Sequence, residues 1–535
     1  MKMQCKYLLR GIAAATAFCL ATTVAAANSA PAVIEAIALK AAAAEPESAR
    51  AYDERGWLRR FYAPRGYAPA WTPRQARRAL ALLQDAGSHG LPADEYQVDI
   101  LLGQIDSHDG PPGAAFDSSL TRSMLHYLAD LRVGRVRSDY HTALPDPRLQ
   151  KFDPVEQLRD ALASDRLEAA VESAGPAFPF YARVQDALAR YRALALVPHG
   201  ALPSAKKVSA GSRYAHAARL HERLVLLGDL PADAAAPDAI YTPELAEGVR
   251  QFQLRHGLAE DGVLGSATIA ALNVPLERRV RQLELTLERL RWLPGFGAGP
   301  LIAVNLPAYR LWAFRPGEPA GPPLEMRVIV GAAVKTPTPL FVGQMRYLEF
   351  NPYWNVPRSI ALGEIIPKLT RNRAWLAQNG MELVGAGKPT SAVDDAALAA
   401  LRAGKLRIRQ RPGPQNALGA VKFAMPNPMN IYLHSTPARE LFDRNRRDLS
   451  HGCIRVEKPA ELARFVLGDQ PEWTIDNVAR AMEPAPTRTV QLTAPIPVVL
   501  FYATAMVDRD GQVVFARDIY QRDPVLEAAL QAHRN

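Results

Sequence analysis

Residues 432–456 read YLHSTPARELFDRNRRDLSHGCIRV. An apolar strand, NIYLH, ends on His434, a polar and arginine-rich stretch follows, and a second short strand pattern opens after Cys453. In extended chain alternate side chains share a face, so His451, two positions from Cys453, sits beside it only at long range. His434 approaches from a neighbouring strand, with the 18 residues between it and Cys453 as the connecting loop. The stretch therefore predicts a β-rich domain and makes His434 the preferred base. Gly452 permits unusual backbone angles, so the amides of Gly452 and Cys453 are expected to face a developing oxyanion. Downstream, KPAELARFVLG predicts a short helix, with Pro459 near its start and Gly468 at its end, that fixes the cysteine's position.

The thiol is isolated. Of three cysteines, Cys5 and Cys19 lie at the N-terminus and Cys453 alone lies in the main body. Lys2, Lys6 and Arg10 precede an apolar run from Gly11 to Val24 and then Ala25-Ala26-Ala27, the pattern of a cleaved export signal over residues 1–27. An uncleaved inner-membrane anchor is the less favoured alternative. Phe18 before Cys19 does not make a lipoprotein cleavage site. Cleavage leaves one cysteine in a compartment that permits disulfides, and one thiol can neither pair within the chain nor build a zinc site alone. A free cysteine is most often a small buried hydrophobe. The flanking His, Gly and Arg, with the isolation, point here to a nucleophile.

A chain of 535 residues exceeds one hydrophobic core. The net charge of +10 suits an anionic partner outside the cytoplasm, while the scattered cations without interleaved aromatics exclude a nucleic-acid reader. Residues 28–50 are alanine-rich and expected to be a flexible lead-in. A helical unit is expected over 51–205, with apolar spacings of three and four in RQARRALALLQDAG and SSLTRSMLHYLADLRVGRV. A compact three-helix unit follows over 213–275, with Thr242 as N-cap and Pro243 at the first helical position. A charged connecting helix (276–300) leads into β-rich sequence at 301–480, interrupted at about 362–412 by an insertion of helix-like sequence and basic loops, expected to act as a lid. Residues 481–535 add strands, among them a hairpin across Asp510-Gly511.

Two stretches resemble known families. Phe252, Gln253, His256, Gly257, Leu258, Asp261, Gly262, Val263, Gly265, Thr268 and Asn273 resemble the signature of a peptidoglycan-binding module. His434, Ser450, His451, Gly452, Cys453 and Arg455 resemble the active-site signature of YkuD-type L,D-transpeptidases. FYAPRGYAPAW, HGLPADEY and YLADLRVGRV resemble the helical scaffold of that family's large periplasmic branch. PGPQNALGAVKFAMPN, containing Asn416, is similar to the stretch before its catalytic histidine. The resemblance implies a multidomain α+β protein: a mainly helical scaffold, a three-helix wall-binding-like domain and a β-rich catalytic domain with an inserted lid. It implies a thioester mechanism. Cys453 attacks the amide between the third and fourth residues of a tetrapeptide stem, and His434 serves as base and then acid. Ser435 orients His434 through its backbone carbonyl. The acyl group passes to a diamino acid of a neighbouring stem, giving a 3→3 cross-link. Ser450, His451, Gly452 and Arg455 support the site, and Tyr432, Tyr353, Trp354 and Asn416 are candidate pocket residues. No metal or organic cofactor is required, and the thiol is an expected carbapenem target. Partners are stem peptides, with other envelope proteins as a further acceptor class. An L,D-carboxypeptidase and a non-enzymatic wall-binding scaffold stand as alternatives. Arg444, Arg446 and Arg447 either steer anionic stems or lie solvated on the loop.

Overall fold

The computed structural model describes residues 29–43, 52–106, 113–137, 141–142, 152–295, 299–315 and 322–534. The expected export signal at 1–27 lies outside them. Among the described residues no helix is long and apolar enough to cross a membrane.

The strand patterns read from sequence close into a barrel. Its strands are β1 (Leu301–Asn305), β2 (Arg310–Phe314), β3 (Leu324–Gly331), β4 (Phe341–Phe350), β5 (Val421–Ala424) and β6 (Leu433–His434). The remaining ones are β7 (Asp448–Ser450), β8 (Ile454–Val456) and β9 (Arg488–Phe501). Hydrogen bonding runs β4-β5-β6-β8-β3-β2-β1-β9, and β9 pairs again with β4, so the ring has no free edge there. Strand β7 lies off the ring, parallel to β3. Alternation decides the faces: Leu311, Ala313, Val328, Val330, Val421, Phe423, Leu433 and Ile454 fill the interior, and their neighbours face outward. The C-terminal segment is thus a wall of the barrel itself. Strand β9 breaks register between Gln491 and Ile496, around two prolines that cannot donate ladder hydrogen bonds.

Two helical units precede the barrel. Helix α1 (Ala30–Ala42) replaces the flexible lead-in expected at 28–50: Ile34 and Ala38, one turn apart, are fully buried against the helical core. The centre of that core is α2 (Ala114–Val133), whose Asp117 and Asp130 are buried yet satisfied, Asp130 by Tyr52 and Tyr96. The last helix of the expected scaffold, α3 (Pro179–Ala195), leaves this core. Its Tyr181, Val184, Leu188 and Tyr191 pack with α5 (Leu276–Arg291) and with Phe501 and Phe515 on the outside of the barrel. Between α3 and α5 sits the three-helix unit, with α4 (Pro243–Arg255) capped by Thr242 as expected. Arg255 anchors this unit: its guanidinium pairs with buried Asp229 at 2.6 Å and donates to the Val513 carbonyl of the C-terminal hairpin at 2.7 Å.

Helix α5, expected as a charged connecting helix, carries Glu288 and Arg291 fully buried. They pair at 2.6 Å, and Glu288 also accepts from the Arg135 amide at 2.7 Å. A buried pair tolerates desolvation only when such further hydrogen bonds are made. This one ties the helical unit to the barrel side.

The insertion is a module with its own core. Strands Trp354–Asn355, Arg407–Gln410 and Met381–Val384 form a small sheet in that order, packed with Ile365, Leu369, Leu376, Leu398 and Leu401. It leaves the barrel after β4 and returns to it before β5.

Candidate active site

The thiol site is built where β6 and β8 run parallel on the outside of the barrel. Leu433 pairs with Ile454 and His434 with Arg455, while the Ile454 amide donates to the Tyr432 carbonyl at 3.1 Å. Leu433 and Ile454 enter the interior, so period-two alternation puts Tyr432, His434, Cys453 and Arg455 together on the outer face. On the far side of β6, Lys422 stands opposite His434 and pairs with Glu349 at 2.7 Å.

Cys453 is half-buried, and its thiol donates to the Asn430 carbonyl at 3.5 Å. Burial pushes the thiol up from its ordinary value, while neighbouring Tyr432 and the Lys422 ammonium pull the other way and lose. The Tyr432 hydroxyl abuts the thiol, and the Trp354 indole, from the insertion, reaches the same hydroxyl. Burial first, and then the thiol's proximity, raise the Tyr432 phenol, so it stays protonated and can donate.

His434 is buried, and its Nδ1 lies 2.6 Å from the Ser435 carbonyl. A carbonyl only accepts, so Nδ1 carries the proton and Nε2 keeps a free lone pair. Burial, then the Arg455 charge, hold its pKa down at about 3. The Ser435 hydroxyl, expected to matter little, is pinned: it donates to the Leu418 carbonyl at 3.0 Å and accepts from the Val421 amide at 3.1 Å. Gly419 makes room for this. At φ +60° a Cβ there would fall on the Ser435 hydroxyl and come within 2.8 Å of the Thr436 amide.

Around the cysteine the backbone is held from several sides. The Ser450 hydroxyl donates to the Cys453 carbonyl at 2.5 Å and accepts from the Gly452 amide at 3.2 Å. Thr338 accepts from the Gly331 amide and donates to the Gly452 carbonyl, both at 2.8 Å. Gly452 takes φ +112°, as its predicted freedom requires. Its amide, however, is taken by Ser450, contrary to the expected oxyanion role. The Cys453 amide donates to no acceptor among the described residues.

Three further expectations change. Asn416 is not a pocket residue: it is buried, its Nδ2 donates to the Pro352 and Arg411 carbonyls at 3.0 and 2.9 Å, and its Oδ1 accepts from the Leu418 amide at 2.8 Å. With its amide spent, it shapes the turn into β5. His451 does not support the thiol directly; its Nε2 lies 2.5 Å from Glu364 of the insertion, so it ties that module to the cysteine loop. Tyr353 stays 38% exposed with the Arg409 guanidinium 4.1 Å over its ring, and only Trp354 of the pair reaches the thiol's neighbour. Arg455 is half-buried beside His434, its Nε is buried without a partner, and it forms no ion pair among the described residues. Burial lowers its pKa, against the opposing pull of the Glu440 charge.

Sequence reading missed Gly419, Thr338, Lys422 and Glu364. Gly419 and Lys422 lie in the stretch PGPQNALGAVKFAMPN but carry no chemistry of their own there, Thr338 and Glu364 lie in no motif, and the fold brings all four to the site.

Comparison with known proteins agrees with this architecture. Residues 299–496 match the model described as L,D-transpeptidase catalytic domain (YkuD), residues 217–272 that of a "Putative peptidoglycan binding domain", and residues 56–188 that of a scaffold domain. A "Putative L,D-transpeptidase" of Haemophilus influenzae is 33% identical over 252 residues, which are 46% of this chain and 49% of the relative. The chain thus spans about half the length of that curated relative. A solved L,D-transpeptidase (Yku) from Stackebrandtia nassauensis aligns at 14% identity over 56% of this chain and 97% of that one, with a TM-score of 0.22. A fused zinc-dependent amidase/peptidase/peptidoglycan-binding domain-containing protein from Clostridium acetobutylicum aligns at 13% identity over 55% and 99%, with a TM-score of 0.15. Scores this low establish no shared fold over those lengths. The chain is a multidomain α+β protein that carries a YkuD-type L,D-transpeptidase catalytic domain behind a scaffold domain and a peptidoglycan-binding-type domain.

Proposed function

We propose that the protein is a peptidoglycan L,D-transpeptidase that forms 3→3 cross-links through a thioester on Cys453, acting outside the cytoplasm after export by a cleaved leader. The observation that carries this is the shared face of Tyr432, His434, Cys453 and Arg455 within a domain of the L,D-transpeptidase type. The sulfur attacks the carbonyl carbon of the third stem residue as His434 Nε2 takes the thiol proton. The Cys453 amide and the protonated Tyr432 hydroxyl stabilise the oxyanion. Collapse breaks the amide bond, His434 returns the proton to the departing D-alanine amine, and a thioester remains. The side-chain amine of a diamino acid on a second stem then attacks. It loses its proton to His434, which returns it to the departing sulfur. Arg455 holds a stem carboxylate beside the reacting bond. The same thioester chemistry makes a carbapenem an acylating inhibitor of Cys453.

The test is product analysis. Mature protein incubated with disaccharide-tetrapeptide should release D-alanine and yield 3→3 dimers, with an acyl-enzyme visible by intact mass. Tripeptide monomer as the sole product would make the protein an L,D-carboxypeptidase. No D-alanine release and no adduct would leave a wall-binding scaffold. Dimers to an envelope protein, rather than to a stem, would identify a different acceptor.

Two substitutions probe the support of the site. Arg455→Gln removes the unpaired cation. A charge-assisted hydrogen bond contributes up to about 3 kcal/mol, so KM for the tetrapeptide should rise tenfold or more with a smaller change in kcat, measured by D-alanine release. An unchanged KM would remove Arg455 from substrate binding. Gly419→Ala forces a side chain onto the Ser435 hydroxyl and displaces the carbonyl that orients His434. A displacement of roughly 1 Å at such a group costs up to about 100-fold in kcat. Wild-type kcat in a folded Gly419→Ala protein would show that Ser435 does not set the imidazole.

A further inference from the structure

A large cavity lies away from the thiol. It occupies 1860 Å³ between the three-helix unit and the outer face of β2, and none of Cys453, His434 or Arg455 lines it. One wall comes from the three-helix unit, including Leu254, Leu258 and Glu260, and the other from Arg310, Trp312 and Phe314 of β2. The β2 pattern is regular: Leu311 and Ala313 point into the barrel, so Arg310, Trp312 and Phe314 form an outward stripe at period two. Trp312 is half-buried and Phe314 is 38% exposed. An aromatic stripe of this kind on a sheet face is costly to leave in water and offers flat apolar surfaces to a ligand.

Charge on this face is unbalanced. Arg310 stands directly opposite Arg327 on β3, and like charges so placed repel. Arg327 is offset by Glu457 at 2.5 Å and Asp443 at 3.1 Å, but Arg310 among the described residues pairs only with Glu325, at 3.7 Å. Arg447, also lining the cavity, pairs with no carboxylate among the described residues; its guanidinium lies 5.1 Å over the Tyr309 ring and donates to the Arg444 carbonyl at 2.7 Å. Burial, and then the charges of Arg310 and Arg327, hold its pKa down at about 10. The barrel end of the cavity thus carries surplus positive charge that a bound anion would relieve. Elsewhere on the lining, Glu260, Asp261, Asp508 and Asp510 are matched by Arg183, Lys206, Lys207 and Arg509.

We propose that this cleft is a second, non-catalytic site for a peptidoglycan strand, with sugar rings on Trp312 and Phe314 and a stem carboxylate at Arg310 and Arg447. A peptidoglycan stem carries carboxylates, which match the surplus positive charge at the barrel end. The inference rests on the reading that the enzyme works on peptidoglycan, and it gives the wall-binding-type unit a binding face shared with the barrel. The site holds the polymer while the thiol site, elsewhere on the ring, works on single stems.

The experiment separates binding from chemistry. Pelleting with purified sacculi, using the full mature chain carrying Cys453→Ala, should show affinity reduced at least fivefold by Trp312→Ala and by Arg310→Gln. Trp312→Phe should restore most of the loss. In the chain with Cys453 intact, the same two variants should turn over soluble disaccharide-tetrapeptide, too small to span both sites, within twofold of the parent, which also reports folding. Binding should weaken with salt, since it uses the charges of Arg310 and Arg447. Sacculus affinity unchanged in both Trp312→Ala and Arg310→Gln overturns the proposal. So does loss of binding to anionic phospholipid vesicles with sacculus binding intact, which would make the cleft a membrane contact. Absence of cross-linked product from the parent would reject the transpeptidase reading alone, because sacculus binding is read independently.

Discussion

Cys453→Ser is expected to lower 3→3 dimer formation by about 10⁴-fold or more while leaving the fold intact, measured as initial rate on disaccharide-tetrapeptide and as thermal midpoint. The substitution is nearly isosteric, so what it tests is proton affinity. Burial has already raised the thiol above its ordinary value, and His434 in the empty site has a pKa of only about 3. Such a base does not remove the thiol proton before attack; transfer accompanies formation of the sulfur–carbon bond. A serine hydroxyl is several pKa units harder to deprotonate, and the same weak imidazole cannot make up that difference. The Tyr432 hydroxyl and the Cys453 main-chain amide remain in place in the variant, so substrate binding should persist. Dimer yield within tenfold of the parent would exclude the thioester route and the proposed mechanism with it.

The sequence was most legible where chemistry and periodicity coincide. His434 could be preferred over His451 because alternation is a local rule, and the parallel pairing of β6 with β8 puts His434 and Cys453 on one face. The capped helix after Thr242 was legible for the same reason. Long-range closure was not. Nothing local says that β9 pairs with both β1 and β4, or that α3 deserts the helical unit for the barrel. Charge misled at α5, where Glu288 and Arg291 look solvated but pair inside. Asn416 illustrates the opposite error: a polar residue near a catalytic stretch can spend its side chain on main-chain carbonyls and an amide, here of its own turn and of Pro352. His451 shares the motif with Cys453, yet its partner is Glu364, 87 positions away. Motif membership identifies neighbours in sequence, and only the fold decides which of them meet the substrate.

His434→Gln separates the base from its scaffold. Glutamine fills similar space and can still donate to the Ser435 carbonyl, but it cannot accept the thiol proton. Loss of a positioned general base costs about 10²–10⁴-fold in kcat/KM. The pH profile should change shape as well as height. In the parent neither group titrates between about pH 5 and 8, since His434 gains its proton only near 3 and Cys453 loses its own above the ordinary cysteine value. The contribution of this pair to acylation should therefore be flat across that window and fall only in stronger acid, as His434 is protonated. In the variant the sole route to a nucleophile is prior ionisation of the thiol. The fraction ionised grows tenfold per pH unit below its pKa, so acylation, followed by intact mass, should rise with that slope from neutrality upward. A flat profile at full rate in His434→Gln would show that another group takes the proton. Among the described neighbours of the thiol only Tyr432 and Lys422 carry titratable protons of their own. The Tyr432 phenol is held protonated by burial, and the Lys422 ammonium is engaged by Glu349 at 2.7 Å. The proposed acceptor is the lone pair on His434 Nε2, left free because Nδ1 donates to the Ser435 carbonyl.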